Sequence, residues 1–197
     1  MTKTVECFFD VGSPASYLAW TQLPKIAARQ QAQLIWKPML LGGVFKATGN
    51  QSPVMIPAKG AYMLKDLARY ARRYGVDMHF NPFFPINTLQ LMRGATAARD
   101  LGQLESYLTA VFPALWVKGL DMGQAEIVAE VLAESGLNPE QVLTHANTPE
   151  IKDALKASTE EAITRGVFGA PTLFVGGEMF FGQDRLDWVE SALGEKA

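Results

Sequence analysis

Apolar positions along this chain switch between two periods, and the switches mark out its elements. Val5-Glu6-Cys7-Phe8-Phe9-Asp10-Val11-Gly12 is a short, β-prone run that predicts a buried strand broken by Gly12. From Pro14 onward Tyr17, Leu18, Trp20, Leu23, Ile26 and Ala27 recur at helical spacing. Gln33-Leu34-Ile35-Trp36-Lys37-Pro38-Met39 predicts a second strand closed by its proline. A strand, a helix of about 16 residues and a strand form a βαβ unit, so the two strands are expected to be parallel.

Leu40 to Ile56 changes character. Its glycines, with Ser52-Pro53 and Pro57 following, predict a loop with at most one short helical turn, too irregular to join the core. From Ala58 to about Asn147 the pattern is helical throughout. One helix passes through Tyr62, Leu67 and Tyr74 and ends at Gly75, and another is capped by Asn87 or Thr88 and runs to Leu101. Further helices are expected over Leu104–Trp116 and Gln124–Ser135, with cap-then-proline starts at Asn138-Pro139 and Thr148-Pro149. The end reverts to strands: Pro171–Val175 and Glu178–Phe181 read as a hairpin on Gly176-Gly177, followed by a helix through Leu186, Trp188, Val189 and Leu193. With the helical block removed, the order is a parallel half, an antiparallel half and a terminal helix. The expected fold class is therefore α/β and thioredoxin-like with a large inserted all-helical domain. Residues 1–42 and 148–197 form the thioredoxin-like part, and 43–147 the insertion.

Composition narrows the function. The net charge of −2, with lysines and arginines scattered, offers no surface for nucleic acid. A single cysteine excludes a disulfide framework and a cysteine metal cluster, and His79 and His145 lie far apart, so no metal site is expected. Neither a signal-peptide pattern nor an apolar run of about 20 residues is present, so a soluble, cytoplasmic protein away from membranes is expected. Cys7 reads as a core residue, and both histidines as surface residues without the partner a general base needs.

The chemistry concentrates at Ser13-Pro14. Ser13 stands at a helix N-cap and Pro14 at the first helical position, where a missing N–H costs nothing. A hydroxyl at the tip of a strand thus meets the positive end of a helix dipole worth about half a charge. Such a place suits a phosphate, a carboxylate or a thiolate. The same pattern also fits a serine that only caps its helix.

Several stretches share one likeness. Phe9-Asp10-Val11-Gly12-Ser13-Pro14-Ala15-Ser16-Tyr17-Leu18 resembles the N-terminal signature of 2-hydroxychromene-2-carboxylate isomerases and kappa-class glutathione transferases. Thr48-Gly49-Asn50 and Pro57-Ala58-Lys59-Gly60-Ala61-Tyr62-Met63 are similar to the loop those proteins place over glutathione. Phe168-Gly169-Ala170-Pro171-Thr172 resembles their cis-proline segment, and Phe181-Gly182-Gln183-Asp184-Arg185 their glycine-polar-Asp-Arg turn. The likeness spans the chain and implies a DsbA-like thioredoxin fold.

It further implies glutathione as cofactor, bound by Ser13, Pro14, Ala15, Asn50, Lys59, Ala170, Pro171, Phe181, Gly182, Gln183 and Asp184, with Ser13 as the catalytic residue. Redox relatives of the fold carry a cysteine pair where this chain has Ser13 and Ser16, so the sulfur has to come from outside. Ser13 would donate to the glutathione thiolate and lower its pKa. Ala170 would pair with the cysteinyl part beside a cis Pro171, Lys59 would face the glycyl carboxylate, and Asp184 the γ-glutamyl ammonium. Arg185 reads as structural. Lys46 and Asn87 are candidates to hold the carboxylate or carbonyl of a small aromatic or conjugated substrate, and Phe83, Phe84 and Trp116 either wall an aromatic pocket or pack as core. A homodimer is what the relatives imply. The activity implied is glutathione-dependent isomerisation of 2-hydroxychromene-2-carboxylate; the alternatives are a kappa-like transferase or peroxidase and a non-catalytic thioredoxin-like binding module.

Overall fold

A single mixed sheet, in the order β2-β1-β3-β4, organises residues 3–195, the part of the chain that the computed structural model describes. β1 (Thr4–Phe9) pairs in parallel with β2 (Gln33–Pro38), placing Val5 opposite Leu34 and Cys7 opposite Trp36. On its other side β1 pairs antiparallel with β3 (Thr172–Val175), and β3 with β4 (Glu178–Phe181). The β3–β4 turn sits on Gly176 and Gly177, with φ of 56° and 92°, as the two left-handed positions of a two-residue hairpin turn require. α1 (Pro14–Gln30) crosses between β1 and β2.

The helical block consists of α2 (Leu41–Thr48), α3 (Pro57–Tyr74), α4 (Leu89–Asp100), α5 (Leu104–Trp116), α6 (Ala125–Glu134) and α7 (Pro139–Ala146). α8 (Pro149–Thr164) leads back to the sheet, and α9 (Leu186–Gly194) closes the chain after a 3-10 turn at Gln183–Arg185. Asn138 and Thr148 cap α7 and α8 by accepting from the Gln141 and Ile151 amides, the local device their cap-then-proline spacing predicts. None of the described helices is long and apolar enough to cross a membrane.

One expectation fails. The stretch after Leu40 is a helix, α2, and it joins the core. Val44 is fully buried with Phe8, Met39, Ala162, Val167 and Phe174, and the Leu40 amide donates to Thr159 Oγ1 at 3.0 Å. Burial against α8 outweighs the poor helix propensity of Gly42 and Gly43. The expected division at residue 42 also falls inside α2, a helix that packs with the thioredoxin-like part.

The two parts share one apolar interior. Phe112 of α5 meets Phe9 of β1 at a ring separation of 6.2 Å, Tyr17 at 6.0 Å and Trp20 at 5.3 Å, while Phe9 meets Trp36 at 5.7 Å. Cys7 is fully buried among these residues, and burial pushes its thiol well above the usual range. On the other sheet face Arg165 lies 3.7 Å from the Phe174 ring centre and pairs with Glu6 and Glu161. Because Phe112 ties both parts together, Phe112→Ala is expected to cost about 3–5 kcal/mol. Urea unfolding of the variant, followed by circular dichroism and by tryptophan fluorescence, should give one coincident transition at a lower midpoint; two separated transitions would contradict a shared core.

Candidate active site

β1 ends at Phe9, and a three-residue turn delivers Ser13 to the tip of α1. The Ser13 amide donates to the Asp10 carbonyl at 3.0 Å, closing that turn. Ser13 adopts the extended N-cap conformation, φ −90° and ψ 115°, and its Oγ accepts from the Ser16 amide at 3.1 Å. The capping role is therefore real. The hydroxyl also donates to the Ala170 carbonyl at 2.9 Å, spanning 157 residues of sequence. One side chain thus both caps α1 and ties it to the Ala170 carbonyl. Ser16 Oγ is buried and has no hydrogen-bond partner among the described residues.

Opposite Ser13 stands the cis Ala170–Pro171 peptide, the isomer the resemblance implies; Phe84–Pro85 is also cis. The Ala170 amide has no partner among the described residues, while the Pro171 carbonyl accepts from the Gly182 amide at 3.0 Å. Gly182 has φ +99°, a conformation open to glycine and strained for any other residue. The Phe168 and Phe181 rings meet at a tilt of 50° with centres 4.6 Å apart, Phe181 packs against Gly169, and Asn50 Nδ2 donates to the Phe168 carbonyl at 2.8 Å.

These groups open on a cleft of about 1150 Å³, at the upper end of what small-molecule sites enclose. Its walls are the Asp10–Ala15 turn, α2 with the loop after it, the start of α3, residues 84–89 and the cis-proline segment. Of the residues picked out in sequence it brings together Ser13, Pro14, Ala15, Asn50, Lys59, Asn87, Ala170, Phe181 and Gln183. Lys59 makes no ion pair among the described residues, so its ammonium is a free cation in the wall. Asn87 accepts from the Leu89 amide at 3.1 Å, ahead of α4. Pro171 and Gly182 stand behind the lining.

Two expected contributors lie elsewhere. Lys46 is exposed on the last turn of α2 and does not line the cleft. Asp184 turns its carboxylate to the neighbouring Arg185 guanidinium and is also absent from the lining. Phe84 lines the cleft, Phe83 is exposed, and Trp116 is buried core. His145 does have a partner, Asp100 at 2.8 Å, but neither residue is part of the cleft lining; His79 Nδ1 bonds the Val117 carbonyl. Among the described residues no group of three or more His, Cys, Asp or Glu could hold a metal.

Sequence reasoning missed the residues that hold this site in shape. Asp10 is almost fully buried and accepts from the Gly12 amide, the Leu41 amide and the Thr88 hydroxyl. Burial pushes its carboxyl above the usual range, against the pull of those three donors. Trp116 Nε1 donates to the Val11 carbonyl at 2.8 Å, and the Tyr74 hydroxyl to the Gln183 carbonyl at 2.6 Å. Burial, with Tyr70 beside it, pushes the Tyr74 phenol up to about 12. The available signal was an acid at the end of a Phe-Phe strand, where an apolar residue would be usual.

Gly12 packs directly on Thr88: a Cβ there would lie 2.5 Å from Thr88 Cγ2. Gly12→Ala is expected to destabilise by about 1–3 kcal/mol through overpacking. Adding Thr88→Ser removes that methyl and should recover most of the loss in thermal melts; additive losses would sink the contact as the cause.

The fold and the site define a thioredoxin-fold protein whose α1 tip carries a serine, Ser13. The DSBA-like thioredoxin domain family matches residues 4–194. The chain is 33% identical to a 2-hydroxychromene-2-carboxylate isomerase of Sphingobium xenophagum, over 98% of this chain and 99% of that one. It is 31% identical to human glutathione S-transferase kappa 1, over 100% and 93%. A solved 2-hydroxychromene-2-carboxylate isomerase structure superposes with a TM-score of 0.87 at 31% identity, covering 97% of this chain and 94% of that one. The protein belongs to the DsbA-like family of 2-hydroxychromene-2-carboxylate isomerases and kappa-class glutathione transferases, and it is an enzyme.

Proposed function

We propose that this enzyme is a glutathione-dependent isomerase that interconverts 2-hydroxychromene-2-carboxylate and trans-o-hydroxybenzylidenepyruvate. The observation that carries the reading is the Ser13 hydroxyl at the α1 tip, opening on the cleft beside the Ala170 peptide. The residues present fit the tripeptide. Among the described residues the Ala170 amide is unpaired and Lys59 has no ion-pair partner, and the Ala170 carbonyl has a second lone pair beyond the one Ser13 uses. The volume leaves room for a small aromatic substrate alongside.

Glutathione, held by these residues, would supply a sulfur nucleophile for reversible addition to the conjugated substrate and would be recovered unchanged. The chain's own contribution is binding and electrostatics. Ser13 turns its O–H from Ala170 toward the sulfur, and the α1 N-terminus adds its partial positive charge, so the thiol ionises at lower pH. Ala170, next to Pro171, pairs with the cysteinyl unit as an added strand would. Lys59 neutralises the glycyl carboxylate, Asn50 steadies the tripeptide from the α2 side, and Gln183 receives the γ-glutamyl end. Asp184 reaches the γ-glutamyl ammonium only by leaving Arg185. Pro14, Ala15 and Phe181 supply van der Waals contact, and Gly182 shapes the turn. Asn87 faces the substrate side, and Lys46 would have to swing inward to assist. Cys7, a lone buried thiol, fits a reducing cytoplasm, where glutathione is abundant. The exposed Met55 and Trp188 leave apolar surface that a homodimer would cover.

A kappa-like transferase is the second reading, favoured by the similarity to the human enzyme and by the size of the cleft. Titrating glutathione and following thiolate absorbance tests both. Wild type is expected to form thiolate at neutral pH, and Ser13→Ala to lose it with about 100-fold lower turnover. The rise of activity with pH should move to higher pH in that variant, because the thiol is no longer held below its ordinary range. No uptake of glutathione would leave a bare binding module. Stoichiometric consumption of glutathione would mark a transferase, and its recovery an isomerase.

A further inference from the structure

Asp10 is the buried charge that the proposed reaction leaves without a role. Its side chain is 1% exposed and lies in the cleft wall. Oδ1 accepts from the Gly12 amide at 2.9 Å, and Oδ2 accepts from both the Leu41 amide at 2.9 Å and the Thr88 hydroxyl at 3.0 Å. The three donors belong to three different walls. Gly12 leads into Ser13, Leu41 opens α2, and Thr88 stands immediately before α4.

We propose that Asp10 is a positioning residue for glutathione binding, whose ionised carboxylate clasps the Ser13 turn, α2 and α4 into one cleft and releases them on protonation. The proposal rests on the glutathione reading of the site and adds a pH-dependent clasp to it. Every contact the carboxylate makes is as an acceptor. A proton on Oδ1 would face the Gly12 N–H and open that bond, and one on Oδ2 would displace the Leu41 amide or reverse the Thr88 bond, so at least one of the three present bonds is lost or reversed. The charge answers to pH through these donors alone: the Ser13 turn gives an amide, α2 an amide and the α4 side a hydroxyl, with no ionisable partner. Lys59 and Asp66, the other charged residues lining the cleft, both sit on α3. Burial raises the Asp10 pKa, so the release falls above the ordinary carboxylate range. Gly12 and Thr88 pack so closely that an added Cβ at Gly12 would lie 2.5 Å from Thr88 Cγ2, so two of the clasped walls adjoin directly.

The test uses calorimetric glutathione binding across the acid-to-neutral range together with amide shifts of Gly12 and Leu41 recorded without glutathione. Wild type should lose affinity as pH falls, and both amides should titrate with the same midpoint. Asp10→Asn keeps one acceptor but turns an amide group on the Leu41 N–H or Thr88. It should bind about tenfold more weakly at neutral pH, with a flat profile through that range. Thr88→Val keeps two of the three bonds and should fall between, which covers the case of an Asp10→Asn protein that does not fold. Wild-type affinity and pH profile in both variants would overturn the proposal. A wild type that takes up no glutathione yet shows the amide titration would overturn the glutathione reading and support the clasp.

Discussion

A helix N-terminus is a source of positive potential that cannot be mutated away, because it is made of backbone. In this chain that potential is fixed in place by the turn between β1 and α1. The Ser13 amide bonds the Asp10 carbonyl, Trp116 holds the Val11 carbonyl from α5, and Asp10 draws in Gly12. The turn is thus over-determined from both parts of the molecule. The result is the positive end of a helix with a hydroxyl at its centre.

The cost of that arrangement sits at Asp10. A carboxylate removed from water and facing no cation is unfavourable, and three hydrogen bonds offset only part of the loss. In the unfolded chain the same group ionises freely. The raised folded pKa means that this charge contributes least to stability above the folded value and becomes less costly as pH falls toward the unfolded one. Stability of the fold and order in the cleft therefore pull on one proton in opposite directions, a common compromise at working sites.

Much of the scaffold was legible because its signals are local. The cap-then-proline starts at Asn138 and Thr148 and the Gly176-Gly177 turn are each complete within a few residues. α2 was not, since its glycines argue against a helix and only burial of Val44 under α8 argues for one. In the cleft, the place of Ser13 follows from its cap position, and those of Ala170, Lys59 and Asn50 from the family likeness. Asp10 with Thr88, and Trp116 with Val11, are pairs 78 and 105 residues apart, and no window of sequence displays them. Asp184 and Lys46 show the opposite limit. A motif places a residue near the cleft, but the side chain's nearest opposite charge, as with Arg185, decides where it points.

The walls of the cleft come from separate stretches of chain. The tip and the cis-proline segment flank strands β1 and β3 of the sheet, whereas α3 and residues 84–89 belong to the helical block. The two sides of the cleft are thus set by different stretches of chain, joined at Asp10–Thr88 and Trp116–Val11. Changes at Tyr62, Met63, Ile86 or Leu89 would reshape the berth for a new compound while leaving the polarised tip untouched. A lineage built this way can acquire new chemistry by retailoring one side of a groove, without reinventing its reactive end.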